Sequence, residues 1–293
     1  MLILWAQSLV ATVSLFSKVC LNLIQARDND FIISGYRPAA RSIQKSLKSL
    51  IQLHNETINI HSHLFGALLF LALPFIVCFD LFTHHSIGYS KDILVFSTFF
   101  FGVAVCFFLS AGFHTFNSYS ERIHKQGNQL DYLGIVILMW GSSIPFIFYG
   151  FYCDQKLQTL YWSIVSVLAI FCIAATFTPH FEHPHLRPWR AAIYGCLGFS
   201  SVSPIIHGLV LYGWTIQKKR MGLDWTLLMT ALNLIDAAIY VYRIPERWSP
   251  IKFDIFGNSH QIFHIIVLFA GLAHMFGLLG AFNYVHKTDN QCH

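Results

Sequence analysis

Seven apolar runs decide what this chain can fold into. Leu64 to Phe82, Ile93 to Phe113, Tyr132 to Tyr152, Leu160 to Phe177, Ala191 to Trp214, Trp225 to Tyr242 and Ile262 to Tyr284 are each long enough, as helices, to cross a hydrocarbon core of about 30 Å. Inside a bilayer every backbone N–H and C=O must be satisfied within the protein, which leaves helices or closed barrels. The runs therefore predict an all-α membrane protein, a seven-transmembrane helix bundle. A mean hydropathy of +0.54 and a charged fraction of 11% agree. The connections are short, so chemistry has to sit within the bundle or at its mouth. There is no internal repeat, phosphate-binding glycine loop or nucleic-acid signature, and the net charge of +5 reads as topology and membrane-surface affinity.

Charge placement orients the bundle. With the N-terminus inside, six of the nineteen Lys and Arg (Lys91, Lys156, Lys218, Lys219, Arg220 and Lys287) fall outside and thirteen inside. Cytosolic loops are enriched in these residues, which predicts a cytosolic N-terminus and an exoplasmic or lumenal C-terminus. Residues 1–30 are an N-terminal leader whose first seventeen residues are apolar, read as interfacial or weakly ordered rather than as a cleaved signal peptide; residues 31–293 are the seven-span domain. Ile43, Leu47, Leu50 and Ile51 recur at helical spacing with Arg41, Lys45 and Lys48 on other faces, which predicts a short amphipathic helix on the lipid surface. Cys78, Cys106, Cys172 and Cys196 lie inside spans as small packing residues. Cys153 and Cys292 fall on the outer side and are candidates for a disulfide.

Three histidines carry the chemistry. His114 ends the second run, which travels inward, and His260 and His264 begin the seventh, which travels outward, so all three lie at one depth. A pair at i and i+4 shares a helical face, and a third imidazole from a neighbouring helix completes a triangle that leaves a fourth position on Zn²⁺ for water. Ser110 sits one turn before His114, and Asp131 opens the third run on the same side. His274 lies ten residues beyond His264, too far to share the sphere, and reads with His207 as a packed residue. Asp236 and Asn233 in the sixth run are polar candidates whose helical face is open. His180, Glu182, His183 and His185 read as a solvated loop. Glu56 and Asn59 read as structural, capping the first helix with Asn55 or Thr57 as the cap itself, or bracing the mouth of the bundle. Pro145 and Pro204 are expected to kink their spans, and the many Phe to face lipid or pack.

The stretches SGYRP (34–38), HNETINIHSHLFG (54–66), SAGFHTF (110–116), LDYLGI (130–135), RIPERW (243–248) and SHQIFH (259–264) resemble, in order and spacing, the progestin and adipoQ receptor family. That family includes adiponectin receptors, haemolysin III-like proteins and a fungal zinc-homeostasis branch, which the short loops and slim N-terminal segment resemble more than a hormone receptor. The resemblance implies that His114, His260 and His264 are zinc ligands, that Asp131 stands beside a zinc-bound water, and that Ser110 lies near the metal. The wider superfamily's alkaline ceramidases use a similar set. Together these predict a zinc-dependent hydrolase of lipid amides or esters, ceramidase-like. Asp131 would be the general base and acid, and Ser110 a donor to the oxyanion. Its partners would be membrane lipids, a sphingolipid or other acyl amide or ester, with an extracellular ligand under receptor-like control. Its location would be the plasma membrane or endoplasmic reticulum. Two alternatives are a signalling receptor stapled by structural zinc and, less favoured because the ligands crowd one end, a zinc transporter.

Overall fold

The structure, a computed structural model, describes residues 29–84, 90–178 and 187–287. A short helix α1 (Ile43–Lys48) runs into a 3₁₀ turn at Ser49–Ile51. It is followed by α2 (Thr57–His84), α3 (Ser90–Phe116), α4 (Glu121–Gly150), α5 (Gln155–Phe177), α6 (Arg187–Phe199), α7 (Val202–Arg220), α8 (Leu223–Tyr242) and α9 (Ser259–Lys287). Seven candidate spans result, because α6 and α7 share one between them. The chain is a multi-pass integral membrane protein.

Helix α9 is central and touches α2, α4, α7 and α8. Phe70, Phe99 and Phe107 are wholly buried, as is Phe282 of α9 itself, with Phe70 meeting both Phe99 and Phe107 edge-on at 5.9 Å. Phe65, Phe75, Phe101, Phe108 and Phe171 face outward, as an apolar surface in lipid requires. The expectation for phenylalanine thus holds on both sides of the bundle.

Small residues set how closely α3 and α4 approach. A Cβ on Gly141 would lie 2.4 Å from the Thr98 carbonyl oxygen, and one on Gly134 2.9 Å from the Cys106 Cα. These obstacles are backbone and cannot rotate away. Gly141→Ala is therefore expected to separate the helices that carry His114 and Asp131. Overpacking of this kind costs about 1–3 kcal/mol, visible as a lower melting temperature in detergent. Gly112→Ala, whose Cβ meets open space, should leave it unchanged.

The amphipathic segment forms as α1 and the 3₁₀ turn. Ile43, Leu47 and Ile51 are exposed, while Ser46 and Ser49 are buried toward the bundle. The fifth span departs from a single kinked helix. Helix α6 stops at Phe199 and α7 restarts at Val202, which puts Pro204 in the first turn of the new helix, where a missing N–H costs nothing. A second turn follows at Gly213 (φ 76°, ψ 169°), so that Gln217 folds back onto Gly208. Hydropathy alone shows neither break. Helix α4 is continuous through Pro145. Cys106 and Cys172 are buried and free, but Cys196 faces outward rather than packing. Cys153 is disulfide-bonded; Cys292 lies outside the described residues, as do residues 1–28 and the His180–His185 loop.

Candidate metal centre

Helices α3 and α9 bring His114, His260 and His264 to one end of the bundle. The Nε2 of His260 lies 3.3 Å from that of His114 and 3.2 Å from that of His264, and one ligand atom from each falls within 4.8 Å of the others. Tetrahedral donors around a zinc at 2.0–2.1 Å stand about 3.3–3.4 Å apart. Hydrogen bonding on the far sides of the rings explains the orientation. His114 Nδ1 lies 2.8 Å from Glu56 Oε2, and His264 Nδ1 lies 3.2 Å from the Asn59 carbonyl oxygen. Both acceptors place the hydrogen on Nδ1, leaving a lone pair on each Nε2. A cation among the three Nε2 atoms would take these lone pairs, with His260 Nε2 3.3 and 3.2 Å from the other two. The donor set therefore fits a metal ion.

The helix ends that carry these rings are fixed with unusual care. Arg37, from the strap preceding α1, donates to the carbonyls of Thr115 and His114, to Asn117 and to Ser49. A guanidinium thus satisfies the orphan carbonyls at the C-terminus of α3, the end a cation favours. At the start of α9, the Asn258 side chain accepts the Gln261 N–H at 3.1 Å. The wholly buried Glu246 accepts from the backbone N–H (2.7 Å) and the hydroxyl of Ser259. Gln261 then donates to the carbonyls of Asn55 and Ile255 at 2.9 and 2.7 Å. The strap SGYRP, the turn RIPERW and the helix start SHQIFH are one hydrogen-bonded platform, and its product is the position of His260 and His264.

Glu56, read from the sequence as a cap or a brace at the mouth of the bundle, instead stands directly behind His114. Its carboxylate accepts from Asn59 (2.7 Å) and Asn117 (3.1 Å) as well as from His114. Burial alone would raise its pKa, but the His114 imidazole and its hydrogen bond, with His260 and Asn59, hold the group well below the usual carboxylate range. An ionised carboxylate behind a ligating imidazole fixes the ring and raises its basicity. The first amide of α2, Thr57 N–H, goes to the His54 carbonyl at 3.1 Å rather than to a side-chain cap, and the preceding Glu56 N–H goes to His54 Nδ1 at 3.1 Å. Burial, then Arg37, push His54 down to about 4, which keeps it neutral as an acceptor. We expect Glu56→Gln to weaken binding of an added divalent metal by about tenfold, the lower end for loss of such a partner. Competition with a fluorescent chelator would measure it.

Asp131 and Ser110 join the centre from α4 and α3. The buried Ser110 and His114 both lie close enough to the Asp131 carboxyl to interact with it electrostatically. A further ring escaped notice in the sequence: His63 of α2, 4% exposed, stacks on His264 with centroids 3.7 Å apart and contacts Phe107 at 4.6 Å. His274 Nε2 lies 3.1 Å from the Ser142 carbonyl, and His207 pairs with Tyr161 at 2.9 Å, both away from the centre as expected.

A family model described as "Haemolysin-III related" matches residues 51–275. The chain is 40% identical over 255 residues to "Adiponectin receptor protein" of Drosophila melanogaster, an alignment that covers 86% of this chain and 56% of that protein. It is 39% identical over 267 residues to "ADIPOR-like receptor IZH2" of Saccharomyces cerevisiae, covering 90% and 83%. It is 33% identical over 256 residues to "Heptahelical transmembrane protein 1" of Arabidopsis thaliana, covering 85% and 75%. The chain thus spans little more than half the length of the fly relative, and most of the yeast one. By these matches and by its seven spans, the chain belongs to the haemolysin-III-related family of progestin and adipoQ receptors.

Proposed function

We propose that this protein is a zinc-dependent hydrolase of membrane lipid amides or esters, with its metal centre at the cytosolic boundary. The convergence of three Nε2 atoms beside a carboxylate and a buried hydroxyl carries this reading. The cluster contains no fourth His, Cys, Asp or Glu donor among the described residues. Four protein ligands close a structural zinc site, whereas three leave room for water or substrate. Zinc held by these histidines would supply Lewis acidity toward a water and an acyl carbonyl.

The chain's own residues do the rest. Asp131 receives the proton of the attacking water and returns it to the leaving amine or alkoxide as the acyl C–N or C–O bond breaks. Ser110, buried beside Asp131, would orient that carboxylate and donate to the oxyanion. Glu56 and Asn59 lock the imidazoles. The purified full chain, incubated with mixed sphingolipid and glycerolipid amides and esters, should release free fatty acid from at least one class. No turnover across the panel would overturn the proposal.

The cytosolic placement has two supports: the charge asymmetry, and the disulfide-bonded Cys153 in the turn between α4 and α5, at the end opposite the histidines. Disulfides persist on the exoplasmic or lumenal side. A tag at His293 should be reached by protease only from that side; cleavage from the cytosol would invert the bundle. A receptor stapled by structural zinc is the second reading, supported by the relatives named as receptors. Transport of zinc has no comparable support, since the metal-like histidines lie at one depth.

A further inference from the structure

We propose that Asp236 is a specificity-determining residue of this centre, accepting a hydrogen bond from a hydroxyl or amine on the polar end of the lipid. The proposal rests on the hydrolase reading and adds to it the chemistry that distinguishes one lipid from another. Helix α8 is a bare helix, with nearly all of its residues turned outward. Asp236 is the exception at the histidine end: it is 2% exposed, and its Oδ2 has no hydrogen-bond partner among the described residues. A lipid-facing helix gains nothing from such a residue, and an ionisable group inside a membrane is costly unless something meets it.

Contacts on either side of Asp236 fix where it sits. Helix α8 runs antiparallel to α9, and Tyr240 packs on His260 (5.4 Å between centroids) and on Phe263 (5.5 Å). Toward the other end Trp225 packs on Phe276 at 5.2 Å, and a Cβ on Gly222 would come 2.5 Å from the Gly277 carbonyl. Asp236 is four residues before Tyr240 and eleven after Trp225, so all three share one stripe of the helix, the one against α9. One turn from Tyr240 on α8 corresponds to one turn from His260 on α9, which is His264. The carboxyl group therefore stands level with the metal ligands, on the flank supplied by α8, while Asp131 enters on α4. A carboxyl oxygen there accepts from an O–H or N–H donor in either protonation state. An N-acyl amino alcohol offers such a donor a few bonds from its scissile carbonyl; a simple alkyl ester offers none.

The test uses full-length protein in detergent and two probes: an N-acyl amino alcohol with its hydroxyl free, and the O-methyl ether of the same lipid. Binding is read by native mass spectrometry, independently of turnover. Wild type should hold the free alcohol at least about tenfold more tightly, the size of one hydrogen bond to a buried polar group. Asp236→Leu should bind the two alike, and Asp236→Asn, which keeps an acceptor oxygen of the same shape, should retain a preference of a few-fold. Zinc content should be unchanged in both variants. Equal binding of the probes by wild type overturns the proposal without any variant, and so does a preference that survives in Asp236→Leu. A preference that depends on Asp236 in a protein that hydrolyses neither probe would leave this assignment standing and remove the hydrolase reading instead.

Discussion

Changing both His260 and His264 to alanine should reduce bound zinc from near one per chain to background, the largest single effect expected of any substitution here. One remaining imidazole, His114, cannot replace a triangle whose donor atoms all lie within 4.8 Å of one another. Elemental analysis of purified protein would measure the loss. A second readout follows from linkage: a ligand that binds only the folded state, present at a hundred times its dissociation constant, stabilises it by about 2.7 kcal/mol. Added zinc should therefore raise the melting temperature of wild type and leave that of the double variant where it was. Because His264 is wedged between Asn59 and His63, truncation also leaves a cavity, so the variant should melt lower even without metal. Full zinc retention would dismiss the site altogether.

The second large effect falls on Asp131 and separates a hydrolase from a receptor stapled by zinc. Asparagine keeps the size of the side chain and its ability to accept from Ser110, but it cannot take a proton. Zinc content and thermal stability should stay close to wild type, while lipid hydrolysis falls by roughly 10²–10⁴, the range for losing a general acid or base. Ser110→Ala should act in the same direction and more weakly, since it frees the carboxylate without removing it. Wild-type turnover in a zinc-loaded Asp131→Asn protein would end the hydrolase proposal. Signalling output that survived the substitution would then favour the receptor.

Periodicity and length carried the architecture because a bilayer leaves so few choices. The expected spans match those of the structure to within a few residues at most ends. The first and third start well before the expected residues, at Thr57 rather than Leu64 and at Glu121 rather than Tyr132, because the polar stretches before those apolar runs are already helical. The fifth runs on to Arg220 rather than Trp214. The three histidines were legible for the same reason: helices crossing in opposite senses bring a C-terminus and an N-terminus to the same depth, and i, i+4 spacing puts His260 and His264 on one face.

The sequence by itself determined the seven-helix class, the depth of the site and the identity of its histidines, since all three follow from apolar length and helical period along single segments. Only the tertiary structure decided which groups stand behind those rings. Glu56 reaches His114 across 58 positions, Gln261 reaches Asn55 across 206, and His63 meets His264 from a different helix. The break between α6 and α7, the turn at Gly213 and the inward face of Asp236 were settled there too. Hydropathy reports whether a segment enters the membrane, but the rotation of each helix about its own axis is set by close packing against its neighbours, as at Gly141 against Thr98 and Gly222 against Gly277. That rotation decides which polar side chains meet.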